Sequence, residues 1–259
     1  VTLNRKEIEE LSPETLALLE FRGPNDHELV RRMYFGRPTF GGAGPEAWGT
    51  QLFSWRQHIG VLHTTWDKDL FTDPVTNRLY SPASVLGREP EHFGETLRLM
   101  RERGFWPVFE GKHVDQWLVG RKPVRWWLSV ERAKQKYGRP PREEATLVFR
   151  ETASNTNERT CIAAVLPARS AASHTLTGVL LEHVAPERAA TVLNSFCFDF
   201  ALRLRTAGTH VSFTYILPVA VPPAEVVNRL PALPTLSRWG SGREHVTDDR
   251  TLWPRLWEA

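Results

Sequence analysis

The chain has 259 residues, of which 41% are hydrophobic and 24% charged, with a formal net charge of +3. This length suits one large domain or two small ones, and the apolar content is sufficient for a core. The hydrophobic runs are too short to span a membrane, which excludes an integral membrane protein. The cysteine count of two excludes a disulfide scaffold. The mild positive charge is compatible with a polyanionic partner. We expect Cys161 and Cys197, in apolar surroundings, to be small core residues.

Helices are predicted at both ends of the first hundred residues. Apolar side chains recur at helical spacing over residues 5–20, with a new start at Pro13. Asn25 can cap a second short helix. The pattern then predicts a Gly/Pro-rich surface loop over residues 36–49, a strand or mixed segment over 52–66 and a helix over 90–103.

Strands are predicted to predominate after residue 105. Residues 146–150 and 160–166 are rich in β-branched and apolar side chains and flank a polar turn. Residues 176–183 and 211–216 have similar patterns. The clearest helix covers residues 186–205, and its broad apolar face indicates burial between layers.

The order of these elements predicts an α+β fold, in which a helical N-terminal part precedes a mixed β-sheet with one long buried helix. We divide the chain into a connecting region, residues 1–104, and a second domain, residues 105–259, with a gradual boundary. The first residue is Val1, and residues 252–259 begin an amphipathic pattern at the chain end. We therefore expect the chain to be a fragment of a longer protein.

The polar turn between the two strands at residues 146–166 carries side chains that suit nucleic-acid recognition. Arg150, Asn155, Asn157, Arg159 and Thr160 are of the types that donate hydrogen bonds to phosphates and base edges. Arginine in addition pairs bidentately with guanine or phosphate. A structural role for the two arginines, paired with neighbouring glutamates, is an equal alternative.

The segment of residues 109–117 is a second candidate. Gly111 allows a tight turn or a close approach of a ligand, Lys112 can meet a phosphate, and Gln116 can contact a base or sugar. The alternative is an ordinary passage from strand to loop with surface charges.

Further candidates lie at the end of the long helix and among the tryptophans. Arg203, Arg205 and His210 could contact DNA, although cations also stabilise the C-terminal end of a helix without any ligand. Trp106 and the pair at residues 126–127 lie near basic residues and could stack on bases, although burial is the usual role of tryptophan.

Together these segments resemble, in their order, the target-recognition region of large adenine-N6 DNA methyltransferases from restriction-modification and phage-defence systems of the DISARM or BREX type. The strongest match is the run Thr-Asn-Glu-Arg-Thr at residues 156–160, followed by Ala-Ala-Val-Leu-Pro at residues 163–167. The matching segments are residues 21–26, 109–117, 150–167, 174–176, 194–200, 208–213 and 216–219.

The resemblance implies a cytoplasmic module that binds double-stranded DNA beside the catalytic methyltransferase domain of the same parent protein. S-adenosylmethionine would be bound by the parent enzyme, and we expect no cofactor, metal or catalytic residue in this chain. The predicted DNA-binding residues are Lys112, Gln116, Arg150, Asn155, Asn157, Arg159, Thr160, Arg203, Arg205 and His210.

The catalytic tetrad of these methyltransferases, Asn/Asp-Pro-Pro-Tyr/Phe, holds the extruded adenine, and it is missing from this sequence. The Pro-Pro pairs at residues 140–141 and 222–223 lack the required polar and aromatic neighbours. A Gly-rich cofactor loop after a strand is missing as well. We therefore expect no methyl transfer by this chain alone.

Two other function classes remain open. A metal-dependent nuclease could use Glu110 and Lys112 as a Glu-x-Lys pair, with Asp67, Asp69 or Asp73 sharing the metal. A protein-interaction scaffold within a defence complex could use the N-terminal helices and the Gly/Pro-rich loop.

Overall fold

A computed structural model describes residues 4–11, 19–23, 25–57, 60–120, 122–153, 158–206, 208–231 and 236–237. The helices in this part of the chain are α1 (Arg5–Leu11), α2 (Asp26–Tyr34), α3 (Pro82–Leu86), α4 (Phe93–Glu102), α5 (Val130–Tyr137), α6 (Pro186–Leu193), α7 (Phe196–Arg203), α8 (Phe213–Ile216) and α9 (Ala224–Asn228). The strands are β1 (Gln51–Phe53), β2 (Val61–Leu62), β3 (Phe105–Phe109), β4 (Val114–Asp115), β5 (Leu118–Val119), β6 (Trp126–Ser129), β7 (Thr146–Arg150), β8 (Ala163–Leu166), β9 (Ala171–Ser173), β10 (Leu176–Leu180) and β11 (Leu236–Ser237).

The strands form three sheets. An antiparallel sheet has the order β1-β10-β7-β8, and a mixed sheet has the order β2-β9-β3-β6, in which β9 is parallel to both of its neighbours. A small third sheet has the order β11-β5-β4. The fold is therefore α+β with mixed sheets, as predicted.

The antiparallel sheet is buried on both faces, and its side chains alternate between two core clusters. Leu147 and Phe149 of β7 lie in the largest cluster, which includes residues of α6 and α7. Val148, between them, lies in a second cluster with Phe109 and Val114. Because successive strand residues point to opposite faces, β7 connects the helical layer to the elements around the mixed sheet.

Both four-stranded sheets contain strands from either side of residue 105. Strand β1 pairs with β10, and β2 pairs with β9. Residues before the predicted boundary thus contribute directly to the sheets of the second half. The division at residue 105 remains a prediction.

Several sequence predictions are confirmed. The strand predicted over residues 146–150 has these bounds in the structure, and the helix predicted over 90–103 covers Phe93–Glu102. A helix lies at Asp26–Tyr34 as expected. Of the helix predicted over residues 5–20, Arg5–Leu11 is helical and residues 12–18 lie outside the described part.

Three predictions are wrong. Residues 186–205 form two helices, α6 and α7, instead of one long helix. Residues 213–216, predicted as strand, form α8, because the backbone N–H groups of Tyr215 and Ile216 donate to the carbonyl of Ser212. A short apolar run with a buried residue such as Ile216 is compatible with either a strand or a helical turn, so the pattern alone does not distinguish them. Cys161 is buried as expected, whereas Cys197 is exposed.

The break between α6 and α7 has a clear cause in Asn194 and Ser195. The Asn194 side chain accepts from the N–H of Ala163 at 3.0 Å and donates to its carbonyl at 2.8 Å, as a neighbouring strand would. The Ser195 hydroxyl accepts from the N–H of Phe198 at 3.1 Å and caps α7. The two side chains end one helix, begin the next and attach both to β8.

Asp199 makes the second attachment between α7 and the chain that enters β8. Its buried carboxylate accepts from the N–H groups of Thr160 at 2.7 Å and Cys161 at 2.8 Å. Arg203, one turn later, donates Nε–H to the same carboxylate at 2.7 Å. Burial raises the pKa of the Cys161 thiol, and the charge of Asp199 raises it further.

No helix in the described part of the chain combines the length and the apolar character that a membrane crossing requires.

We predict that Asp199→Ala lowers the free energy of unfolding by about 3 kcal/mol, because two buried N–H groups and Arg203 lose their acceptor. Urea denaturation measures this loss. The matched control is Glu225→Ala, which breaks an exposed ion pair with Arg229 one helical turn away and should cost roughly 0.5 kcal/mol or less. Equal losses in the two variants would contradict the structural role of Asp199.

Candidate nucleic-acid interface

Three loops meet around Thr175 and form a surface cavity of about 280 Å³. The Thr175 hydroxyl oxygen accepts from the N–H of Gly111 at 2.8 Å, and its carbonyl accepts from the N–H of Glu151 at 3.0 Å. One threonine thus fixes the loop after β3 and the end of β7 against the turn before β10. The cavity is lined by Glu110, Gly111, Lys112, Arg150, Thr152 and Thr175.

The loop after β3 is a rigid turn that His113 holds in place. The Nδ1 atom of His113 accepts from the N–H of Glu110 at 2.8 Å. Its Nε2 atom lies 3.1 Å from the carbonyl of Pro123 and therefore carries the proton. Gly111 does not have a left-handed backbone, and an added Cβ would meet Thr175 at an ordinary 3.5 Å. Neither the turn nor local packing requires a glycine at this position.

Lys112 and Arg150 contribute the positive charges at the cavity. The Lys112 ammonium lies 2.6 Å from the Glu110 carboxylate, and its side chain is 44% exposed. Arg150 donates Nε–H to the carbonyl of Val114 at 2.8 Å. That bond to a backbone carbonyl gives the partly buried Arg150 a structural role, while its position in the cavity wall remains accessible to a ligand.

His210 lies beside the same cavity. It forms a bridge pair with Thr152, and the backbone N–H of Val211 donates to the carbonyl of Glu151 at 2.8 Å. Both His210 and Thr152 are exposed. The structure therefore brings together three predicted residues from separate segments: Lys112, Arg150 and His210.

Arg159 and Gln116 form a second group, which is separate from the residues that line the cavity. With its amide oxygen turned toward Arg159, Gln116 accepts from Nε–H at 2.9 Å and from Nη2–H at 3.1 Å. Arg159 also donates to the carbonyl of Asn194. Its guanidinium stacks 4.3 Å from the ring centroid of Phe196, whose side chain is 83% exposed. The arginine is thus held in one orientation at the surface.

The other predicted residues are mainly structural or lie outside the described part. Thr160 is fully buried. Arg203 is bound to Asp199 and to the carbonyl of Glu158. Arg205 is buried, with Nε–H donating to the Tyr34 hydroxyl at 3.0 Å and Nη2–H to the carbonyl of Leu11, so it is unsuited to a DNA contact. Residues 155 and 157, both asparagines, lie outside the described residues.

The tryptophans proposed for stacking are mostly core residues. Trp106 and Trp127 are buried. Trp126 is half-buried, with Arg125 lying 4.6 Å from its ring centroid. Sequence reasoning missed a different aromatic group next to the cavity, which is formed by Trp55, His63, Trp66 and His174.

Among the carboxylates of the nuclease alternative, Asp67 and Asp69 share the ammonium group of Lys136. Asp67 accepts from Tyr137, Lys136 and the N–H of His63, so its oxygen atoms serve the fold. Among the residues the structure describes, no group of three or more His, Cys, Asp or Glu side chains is placed to hold a metal. Glu110 instead pairs with Lys112.

Comparisons with known proteins find no matching family model and no matching curated protein. The likeness to methyltransferase target-recognition regions therefore remains a prediction from the sequence.

We predict that part of the protein's stability is lost in mild acid through His113. Burial lowers the pKa of this imidazole, and the charge of Lys112 lowers it further. The folded state therefore binds the proton less readily than the unfolded state. The stabilisation contributed by His113 is complete above the ordinary histidine pKa of about 6.5, and it declines as the pH falls from there toward the pKa of His113 in the folded state.

Urea denaturation at about pH 7.5 and about pH 5 measures this effect. The His113→Gln variant should be less stable than the original protein at the higher pH, and its stability should fall less between the two. An equal decline in both proteins would show that His113 does not cause it.

Proposed function

We propose that the chain is a DNA-binding target-recognition module of an adenine-N6 DNA methyltransferase from a restriction or phage-defence system. The observation that carries this proposal is the fixed arrangement of Lys112 and Arg150 at the cavity, with His210 beside it and Arg159 in a second group with Gln116. These side chains come from four separate segments of the chain. Such an arrangement suits a polyanion with regularly spaced phosphates.

Arg159 is the best candidate for a specific contact. Its guanidinium is held by Gln116, Asn194 and the Phe196 ring, so little side-chain freedom remains to be lost on binding. A planar guanidinium pairs bidentately with a phosphate or with the O6 and N7 atoms of guanine. Gln116 lies beside it and can extend the contact to a base or sugar.

The rest of the proposal follows from the sequence resemblance. Methyl transfer and S-adenosylmethionine binding belong to the catalytic domain of the parent protein, which this module accompanies in the cytoplasm. Asn155 and Asn157 remain candidates for base contacts in the polar turn. Lys112 and Arg150 would contact phosphates, and Arg203 would act indirectly, by holding Asp199 and Glu158 near Arg159.

A protein-interaction scaffold is the second candidate, because several large apolar side chains are exposed. Leu29 and Phe35 lie on or next to α2, and Val226 lies on α9. Met33 and Val226 line a further cavity of about 400 Å³ with Arg32 and Arg37. A partner domain with an apolar, acidic surface would complement this region.

We predict that Arg159→Ala weakens binding to a mixed-sequence DNA duplex by about tenfold or more while the chain stays folded. Fluorescence anisotropy measures the affinity, and thermal unfolding followed by circular dichroism measures the stability. Arg229→Ala is the matched control, since it removes an arginine whose only described ion pair is on the exposed face of α9. The affinity of the Arg229→Ala variant for the duplex should be unchanged.

Two results would overturn the assignment. An Arg159→Ala variant that unfolds early and still binds DNA would make Arg159 structural. A chain that fails to bind duplex DNA at low salt would favour the scaffold candidate.

A further inference from the structure

Four aromatic rings form a compact cluster beside the cavity. His63 stacks on Trp66, with ring centroids 4.6 Å apart and planes at 20°, and on His174, at 4.3 Å and 18°. Trp55 packs edge-on against both His63 at 5.2 Å and Trp66 at 4.5 Å. We call Trp55, His63, Trp66 and His174 the aromatic platform.

A rigid turn holds Trp66 on this platform. The backbone N–H groups of Thr65 and Trp66 donate to Nδ1 of His63 at 3.2 Å and 3.3 Å, which fixes the imidazole plane. Asp67 is buried and accepts from the N–H of His63 at 2.8 Å, and Tyr137 donates its hydroxyl to the same carboxylate. The turn is therefore held by hydrogen bonds within the protein.

The ring of Trp66 nevertheless remains open to solvent. Its side chain is 64% exposed, although indole rings of this size usually lie in the core, as Trp48 and Trp127 do here. One face of the Trp66 ring packs against His63, and the other face is open to a ligand. An ordered and exposed indole is a suitable surface for a planar ligand.

Basic side chains lie around the platform. The Arg56 guanidinium lies 5.4 Å from the centroid of Trp55 and is exposed. Arg139 donates to the carbonyl of Gln57 at 2.7 Å, and Lys136 donates to the carbonyl of Trp66 at 3.3 Å. Lys136 also pairs with Asp67 and Asp69, so Arg56 and Arg139 supply the charge available to an anionic ligand.

The platform is continuous with the proposed DNA-binding cavity. His174 directly precedes Thr175, whose side chain and backbone join the three loops of the cavity. The Glu110 carboxylate, in the cavity wall, acts electrostatically on His174. The platform thus begins at His174 beside the cavity and continues through His63 to Trp66.

We infer that Trp66 stacks on an unpaired nucleobase, whose phosphates lie along Arg56 and Arg139. An aromatic face with cations at its edge is the arrangement by which proteins hold single-stranded nucleic acid, since every base has a π-face and every linkage a charge. The inference deepens the proposed function and rests on it, because both require nucleic acid as the ligand. It adds a site for a base that has left the duplex.

The test uses a single-stranded oligonucleotide that contains 2-aminopurine, whose fluorescence falls when the base stacks, together with the same sequence as a duplex. Trp66→Ala should weaken binding of the single strand by about tenfold and remove the fluorescence change. Trp66→Phe, which keeps an aromatic face, should retain most of the single-strand affinity and most of the fluorescence change. Phe35→Ala is the matched control, because it removes an exposed ring next to α2; it should behave as the original protein does.

The outcomes separate this inference from the proposed function. The inference is overturned, and the proposed function kept, if the protein binds the duplex but not the single strand. The same conclusion follows if it binds the duplex and Trp66→Ala binds the single strand as tightly as the original protein does. Single-strand binding that requires Trp66, without duplex binding, supports the inference and overturns duplex recognition. Binding of neither DNA overturns both. Should Trp66→Ala not fold, Trp66→Gln replaces it as a variant whose side chain is larger than that of alanine and has no aromatic face.

Discussion

The buried carboxylate of Asp199 is the interaction on which the candidate interface depends. It binds the N–H groups of Thr160 and Cys161 and the guanidinium of Arg203, and so fixes the chain that enters β8 to helix α7. Asn194 makes a parallel attachment to Ala163. Between these two attachments the chain has no freedom to shift, because a displaced carboxylate or N–H group would be buried without a partner. Arg159, immediately before the attached segment, takes its position at the surface from this arrangement.

The same arrangement distinguishes two kinds of cationic residue that look alike in the sequence. Arg205 is enclosed by Tyr34 and Leu11, and Arg203 serves mainly to neutralise Asp199. Arg159 and Lys112 have partners that orient them and still leave them accessible. Under the proposed function, a polyanion would be bound by side chains that are already in place, and the loss of conformational freedom on binding would be small. Arg203 and Arg205 stabilise the fold around the candidate interface, whereas Arg159 and Lys112 belong to its surface.

The sequence predicted local structure well wherever the pattern of apolar residues had one interpretation. Strand β7 and helix α4 are examples. The division of the long helix was signalled by Asn194-Ser195, a common capping pair, but the apolar periodicity continues across it. The role of Thr175 and the aromatic platform could not be predicted, since their partners are distant in the sequence. Long-range contacts of this kind also decide that Arg205 is buried.

The most direct test of DNA recognition is selection from a pool of random-sequence duplexes, followed by anisotropy with the selected sequence at about 50 mM and about 200 mM salt. A target-recognition module should enrich one short motif, bind it more tightly than unselected DNA at both salt concentrations, and lose affinity as the salt rises. Salt-sensitive binding with no enriched motif would describe a general DNA clamp and contradict sequence recognition. A complete lack of binding at the lower salt concentration would contradict the account as a whole.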